Sequence, residues 1–202
     1  MHPVVLVADD HSMIRKGLKL CLEVNLGLTD IHETASCAGL MTELREGKYT
    51  HLILDIILGD GMILEVLPNI RELFPDLQIM IFSMQPVEVY AEAMRQYGID
   101  FYLSKTASET GLVKMLHSFF DNRTPEGLHM NDRYSGNPFA RLSVRELEVL
   151  HYILKGKGTK EIADTLNLKM ATISTLKNRI FEKTNVTNNK ELTDLANLYN
   201  VN

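Results

Sequence analysis

The chain has 202 residues, 45% of them hydrophobic and 23% charged, with a net charge of −5 at pH 7. That length suits two small domains, and the composition supports packed cores and excludes a disordered chain. Cys21 and Cys37 stand far from any His or Cys partner, which argues against a zinc site and leaves both as core thiols.

No apolar run reaches the length of a membrane span. Met1-His2-Pro3 leads straight into a strand-like run, so the sequence predicts a soluble, cytoplasmic protein with no membrane partner. The charge is uneven. Residues 1–120 carry 9 basic and 16 acidic side chains, net −7, and residues 141–202 carry 10 and 7, net +3. A polyanionic partner would therefore meet the second half.

In chain order, Val4-Val5-Leu6-Val7-Ala8 reads as a buried strand ending at Asp9-Asp10. Ser12 is expected to cap a helix with Ile14, Leu18, Cys21 and Leu22 on its apolar face. A weaker strand at Ile31–Ser36 and a helix at Gly39–Arg45 follow. Leu52-Ile53-Leu54 is the next strand and stops at Asp55. Ile63, Val66, Leu67, Ile70 and Leu73 then give a helical stripe, with Pro68 in its first turns. Ile79-Met80-Ile81-Phe82 ends at Ser83, and Pro86 opens a helix that runs to about Gln96 and stops at Gly98. Phe101-Tyr102-Leu103-Ser104 ends at Lys105, and Ser108 opens a last helix with Leu112, Met115, Leu116, Phe119 and Phe120 on one face. Five strands alternating with five helices predict an α/β domain, a doubly wound five-stranded parallel sheet. Residues 121–140 carry two Pro, two Gly and three Asn without periodicity and read as a linker. From Arg141 the pattern is helical, a second and smaller all-α domain over 141–202.

Chemistry in an open parallel sheet gathers at the carboxyl ends of its strands. Asp9, Asp10, Asp55, Ser83 and Lys105 would converge there. For phosphoryl transfer, Asp55 is the nucleophile that forms an acyl phosphate. Asp9, Asp10 and Asp55 supply hard oxygen ligands for Mg²⁺. Lys105 adds positive charge beside the phosphoryl oxygens, Ser83 a hydrogen-bond donor, and Tyr102 an aromatic ring able to turn inward when Ser83 moves. His11, next to the acid pair, reads as an exposed loop residue, and the ten methionines read as core.

Ala8-Asp9-Asp10-His11 with Arg15, then Asp55, Ser83 and Tyr102-Leu103-Ser104-Lys105, resemble the receiver domain of two-component response regulators over residues 4–120. The resemblance implies a flavodoxin-like receiver fold over residues 1–120, phosphorylation of Asp55 by a sensor histidine kinase, and a metal ligand from the backbone carbonyl of Ile57. Asp55-Ile56-Ile57-Leu58-Gly59-Asp60-Gly61 departs from the pattern: Gly59 stands where receivers usually place Pro, and the loop is about two residues shorter. Gly59 and Gly61 predict a loosened loop, and Asp60 a negative charge close to the metal.

Thr159–Leu166, the turn Asn167-Leu168-Lys169 and a helix from Met170 to Lys183 form a helix-turn-helix pattern. Leu142–Leu150, Gly156, Glu161-Ile162-Ala163, Thr172-Ile173 and Lys183 are similar to the LuxR-type DNA-binding domain, and the two halves together resemble the NarL/FixJ group. The resemblance implies binding of double-stranded DNA, with Ser174, Thr175 and Asn178 facing the groove and Lys177, Arg179 and Lys183 on phosphates. It also implies a homodimer in the active state and RNA polymerase as a further partner. Ser174 and Leu176 stand where the family usually has Lys and His, and Leu176 extends the core stripe of Ile173 and Ile180. A last helix at Lys190–Asn200 reads equally as internal packing or as a dimer surface.

The expected function is a transcriptional regulator switched by phosphorylation and not an enzyme with turnover. Three alternatives stay open from the sequence: a regulator uncoupled from phosphorylation by the altered loop, a Mg²⁺-dependent phosphatase with an Asp nucleophile, and a protein-binding output that has abandoned DNA.

Overall fold

The computed structural model describes residues 2–123 and 136–201. Residues 124–135 of the expected linker lie outside the described residues. Contacts divide the chain into two compact units, one running to Met84 and resuming at Met94, the other made of Gln85–Ala93 and the C-terminal helices.

In the first unit, β1 (Val5–Ala8), β2 (Ile31–Thr34), β3 (His51–Leu54), β6 (Gln78–Ser83) and β7 (Phe101–Ser104) form one parallel sheet in the order β2-β1-β3-β6-β7. The short strands β4 (Ile57–Leu58) and β5 (Gly61–Met62) form a separate antiparallel hairpin. Val5, Val7, Ile53, Met80, Phe82 and Phe101 point to one face, against Leu18 and Leu22 of α1 (Ser12–Leu26) and Met115, Leu116 and Phe119 of α5 (Glu109–Phe120). The alternate residues Leu6, Leu52, Leu54, Ile79 and Ile81 are buried as well, so both faces of the sheet are covered. Each such side chain contributes about 1.5–3 kcal/mol of hydrophobic stabilisation.

The helices begin close to where the sequence places them, for identifiable reasons. Ser36 caps α2 (Cys37–Glu46) by accepting from Gly39 N–H, and Ser108 caps α5 by accepting from Gly111 N–H. Pro68 sits in the first turn of α3 (Leu67–Leu73), after a 3₁₀ turn at Ile63–Glu65. Gly98, at φ +64°, takes the left-handed conformation after α4 (Val87–Arg95). The cap of α1 differs from expectation: His11, not Ser12, holds the cap position, without a side-chain bond to the helix. Its own N–H donates to Asp9 Oδ1 at 2.9 Å, so the chain turns on the acid pair before the helix starts.

In the second unit, α6 (Val144–Leu154) carries a reciprocal capping box between Ser143 and Glu146. Then come α7 (Thr159–Thr165), α8 (Met170–Thr184) and α9 (Asn189–Leu198). Asn167, at φ +52°, makes the turn between α7 and α8. Ile173, Leu176 and Ile180 form the buried stripe of α8, which bears out the reading of Leu176 as core. On α9, Leu192 and Ala196 are buried while Leu198 is exposed.

Candidate functional site

Parallel register brings the four strand ends together. Ala8 is paired with Leu54, Leu54 with Ile81, and Ser83 with Ser104. The ladder runs one bond further: Asp55 N–H donates to Ala8 O at 2.9 Å, and Lys105 N–H to Ser83 O at 2.9 Å. Asp9, Asp55 and Lys105 follow these ends directly, so their side chains leave the sheet at one level.

The contacts are close. Ser83 Oγ donates to Asp55 Oδ1 at 2.5 Å, and Lys105 Nζ lies 2.5 Å from Asp55 Oδ2 and 2.7 Å from Asp9 Oδ2. Asp9, Asp55 and Ser83 are buried, and the Lys105 side chain is 5% exposed. Burial works against the charge of Lys105, but its bonds to Asp55 and Asp9 outweigh that and hold its pKa above the ordinary lysine value. Two acids and one ammonium therefore form a charge-assisted cluster at the mouth of the sheet. Tyr102, expected to turn inward, is already buried.

Asp10 remains exposed, with His11 Nδ1 2.6 Å from its Oδ1. His11 is exposed, as expected, yet Asp9, Asp10, His11 and Asp55 can each bring one ligand atom within 4.8 Å of the others. Three of these donors are carboxylates, the hard oxygen set that suits Mg²⁺. The residues present therefore fit the ion that the resemblance implies.

Two supporting side chains make contacts that the sequence did not reveal. Arg15 Nη1 donates to Asp9 O at 2.7 Å and its Nε to Glu33 Oε2 at 3.0 Å, tying α1 and β2 to the backbone of the acid pair. Asp60 ties down the loop that Gly59 and Gly61 were expected to loosen, and it keeps the negative charge expected of it. The loop is the β4–β5 hairpin, and the Asp60 carboxylate turns to the start of α2, accepting from Cys37 N–H at 2.6 Å and Ala38 N–H at 3.0 Å. Partial burial pushes the Asp60 pKa up, but those backbone bonds prevail and hold it below the usual carboxylate value. The methionine expectation is also corrected, since Met13, Met84 and Met170 stand exposed.

In the second unit, Ser174, Thr175, Asn178 and Arg179 are exposed on α8, and Lys177 lies over the Phe181 ring at 5.5 Å. Thr175 and Arg179 line a shallow groove with Ala171, Thr172 and Leu176. Ser174 Oγ donates to Met170 O at 3.0 Å and Thr175 Oγ1 to Ala171 O at 2.9 Å. Lys183 has a different commitment from the one expected of it. Its Nζ lies 2.6 Å from Glu146 Oε2 and 3.1 Å from Arg141 O, which fastens α8 to the start of α6. Glu146 is buried; burial raises its pKa, yet the bonds from Lys183 and Ser143 bring it below the ordinary value.

Residues 5–117 match the family described as response regulator receiver domain, and residues 140–196 the family described as bacterial regulatory proteins, luxR family. The chain belongs to the response regulators. Over 95% of its length this response regulator is 27% identical to the oxygen regulatory protein NreC of Staphylococcus haemolyticus, covering 95% of that relative. It is 26% identical to the response regulator UvrY of Escherichia coli K12, over 95% of the chain and 92% of that protein. Among solved structures, RcsB of Salmonella enterica serovar Typhimurium, bound to promoter P1flhDC in the presence of the phosphomimetic BeF3⁻, matches with a TM-score of 0.83 and 26% identity, over 96% of this chain and 98% of that one. A second RcsB structure, titled a complex with DNA, matches with a TM-score of 0.80 and 27% identity, over 95% of this chain and 96% of that one. Among the described residues, no helix of this response regulator is long and apolar enough to cross a membrane.

Proposed function

We propose that this response regulator accepts a phosphoryl group on Asp55 and that the modified protein binds double-stranded DNA through α8 to regulate transcription. The observation that carries the reading is the Asp55 carboxylate, held by Ser83 on one oxygen and Lys105 on the other. In the transfer, a carboxylate oxygen of Asp55 bonds to phosphorus. The bond from phosphorus to the imidazole nitrogen of a sensor histidine kinase, or to the leaving oxygen of a small acyl phosphate, breaks. Asp9, Asp10 and Asp55, with the Ile57 carbonyl, would hold Mg²⁺, which supplies charge neutralisation at the phosphoryl oxygens. Lys105 exchanges its bond to Asp55 for one to the phosphoryl group, and Ser83 donates to the same group. Both moves pull on the ends of β6 and β7, and buried Tyr102 adjusts beside them.

On DNA, Ser174, Thr175 and Asn178 face the base edges and Lys177 and Arg179 meet phosphates. Lys183 seats the helix through Glu146 and reaches phosphate only secondarily. The DNA-bound RcsB structures support DNA as the partner, as does the net charge of +3 over residues 141–202. A homodimer as the active form, RNA polymerase as a partner and a cytoplasmic location fit the same reading. The reaction happens once per activation on the protein's own chain. Ile57, two residues after Asp55, offers no second acid for a phosphatase. The bonds from Asp60 to the start of α2 favour a coupled receiver over the uncoupled one.

The test incubates the full chain with acetyl phosphate and Mg²⁺ and follows intact mass and affinity for genomic DNA fragments. A phosphoryl adduct that Asp55→Asn abolishes, together with tighter DNA binding, is expected. No adduct, or one that survives in Asp55→Asn, overturns the site. Equal DNA affinity with and without the adduct overturns the switch.

A further inference from the structure

The segment after Asp55 is tied down on two sides. Ile57 pairs with Met62 and Leu58 with Gly61, and Ile63 N–H closes onto Ile56 O at 2.9 Å. The tip, Gly59-Asp60, then reaches the start of α2: Gly59 N–H donates to Ala35 O at 3.3 Å, and both Asp60 oxygens accept from the first N–H groups of that helix. On its other side the tip lies beside Asp10: a Cβ added to Gly59 would come within 3.9 Å of Asp10 Cβ and 3.5 Å of Ala35 O. The hairpin tip therefore lies between Asp10 and the β2–α2 junction. In that junction the Asp60 carboxylate supplies a charged acceptor, one oxygen to each of two N–H groups. Carboxylate bonds to backbone N–H at a helix start are stronger than neutral ones.

We infer that Asp60 is a positioning residue for the divalent-metal and phosphoryl site, its clamp on α2 fixing the backbone of Ile57 and the flank of Asp10. The inference rests on the reading of Asp55 as phosphoacceptor. It assigns to the short loop a fastening of its own, made by a residue 23 positions from its partner Cys37. What matters is the pair of acceptor oxygens, one for each N–H, and not a negative charge somewhere on the loop. Asn keeps one acceptor oxygen and presents a donor NH₂ where the other stood, so it should keep part of the clamp, whereas Ala should keep none of it.

Ser36 provides the control. Its hydroxyl caps the same helix at Gly39 N–H with no bond to the hairpin, so Ser36→Ala weakens α2 and leaves the clamp in place. Mg²⁺ affinity is measured by calorimetry on the full chain, alongside the lifetime of the phosphorylated form and thermal melting. Asp60→Ala is expected to weaken Mg²⁺ binding about tenfold, the scale for losing a residue that orients metal ligands. Asp60→Asn, with one of the two acceptors, should fall between wild type and Asp60→Ala, and Ser36→Ala should lower the melting temperature without moving Mg²⁺ affinity. If Asp60→Ala does not fold, Asp60→Ser, with one acceptor on a shorter arm, is expected to fall between Asn and wild type on one side and complete loss on the other. Unchanged Mg²⁺ affinity in Asp60→Ala, or in Asp60→Ser where that variant replaces it, overturns the inference. So does an equal loss in Asp60→Asn, which would point to charge, or in Ser36→Ala, which would point to general loosening of α2. Wild-type protein that binds no Mg²⁺ and takes no phosphoryl group overturns the phosphoacceptor reading itself, whatever the variants do.

Discussion

Ser83 and Asp55 lie 28 positions apart in the chain and share a buried hydrogen bond of 2.5 Å, from the hydroxyl to Asp55 Oδ1. The hydroxyl therefore serves the carboxylate at rest and is already in place for whatever that carboxylate comes to carry. Ser83→Ala leaves one buried carboxylate oxygen without this donor, at a cost of about 1–3 kcal/mol. Denaturant melts should show that loss. Phosphoryl uptake should persist, and the gain in DNA affinity on phosphorylation should shrink.

Lys183 and Lys177 should separate cleanly. Lys183→Ala leaves buried Glu146 without its cation, and because Lys183 is itself 37% exposed the cost is about 2 kcal/mol, less than for a fully buried pair. It should lower thermal stability and leave the salt dependence of DNA binding nearly unchanged. Lys177→Ala should keep stability and reduce the slope of log affinity against log salt by about one. Salt titrations of DNA binding with parallel melts check both.

His51 gives the fold a pH dependence of known sign. Its ring packs 4.5 Å from Phe120 and 5.1 Å from Phe119, and burial lowers its pKa from 6.5 to about 4. Between those values the unfolded chain binds a proton that the folded chain refuses. The contribution of His51 is therefore intact above 6.5 and is lost progressively as pH falls toward 4. His51→Phe should flatten the change in urea midpoint between about pH 7 and about pH 5. An undiminished slope in that variant would assign the dependence to other groups.

Gly59 stands where receivers usually have proline, and the structure explains why proline is unsuited to this position. Gly59 N–H donates to Ala35 O, a bond that proline cannot make. Gly59→Pro should cost about 1 kcal/mol in urea melts, whereas Gly59→Ala, whose Cβ meets only ordinary contacts, should be nearly neutral.

The strand ends were legible in the sequence because each apolar run stops abruptly at a polar residue, and parallel register then brings such ends together. The helix-turn-helix was legible for a similar reason, its buried stripe of Ile173, Leu176 and Ile180 following the helical period. What stayed hidden lacks a period. Strands of two residues leave no alternation to detect, so the β4–β5 hairpin read as a loose loop. Asp60 finds Cys37 N–H, and Lys183 finds Glu146 across 37 positions, by tertiary folding alone. Ser12 carried the usual signal for a helix cap, but Asp9 Oδ1 engages His11 N–H and moves the helix start by one residue.

Lys105 spans the carboxylates of Asp9 and Asp55 with one ammonium. The most acidic corner of the sheet thus carries a tethered counterion. A divalent cation entering there would compete with an ammonium that cannot diffuse away, so the end of β7 would raise the ion concentration needed to occupy the corner.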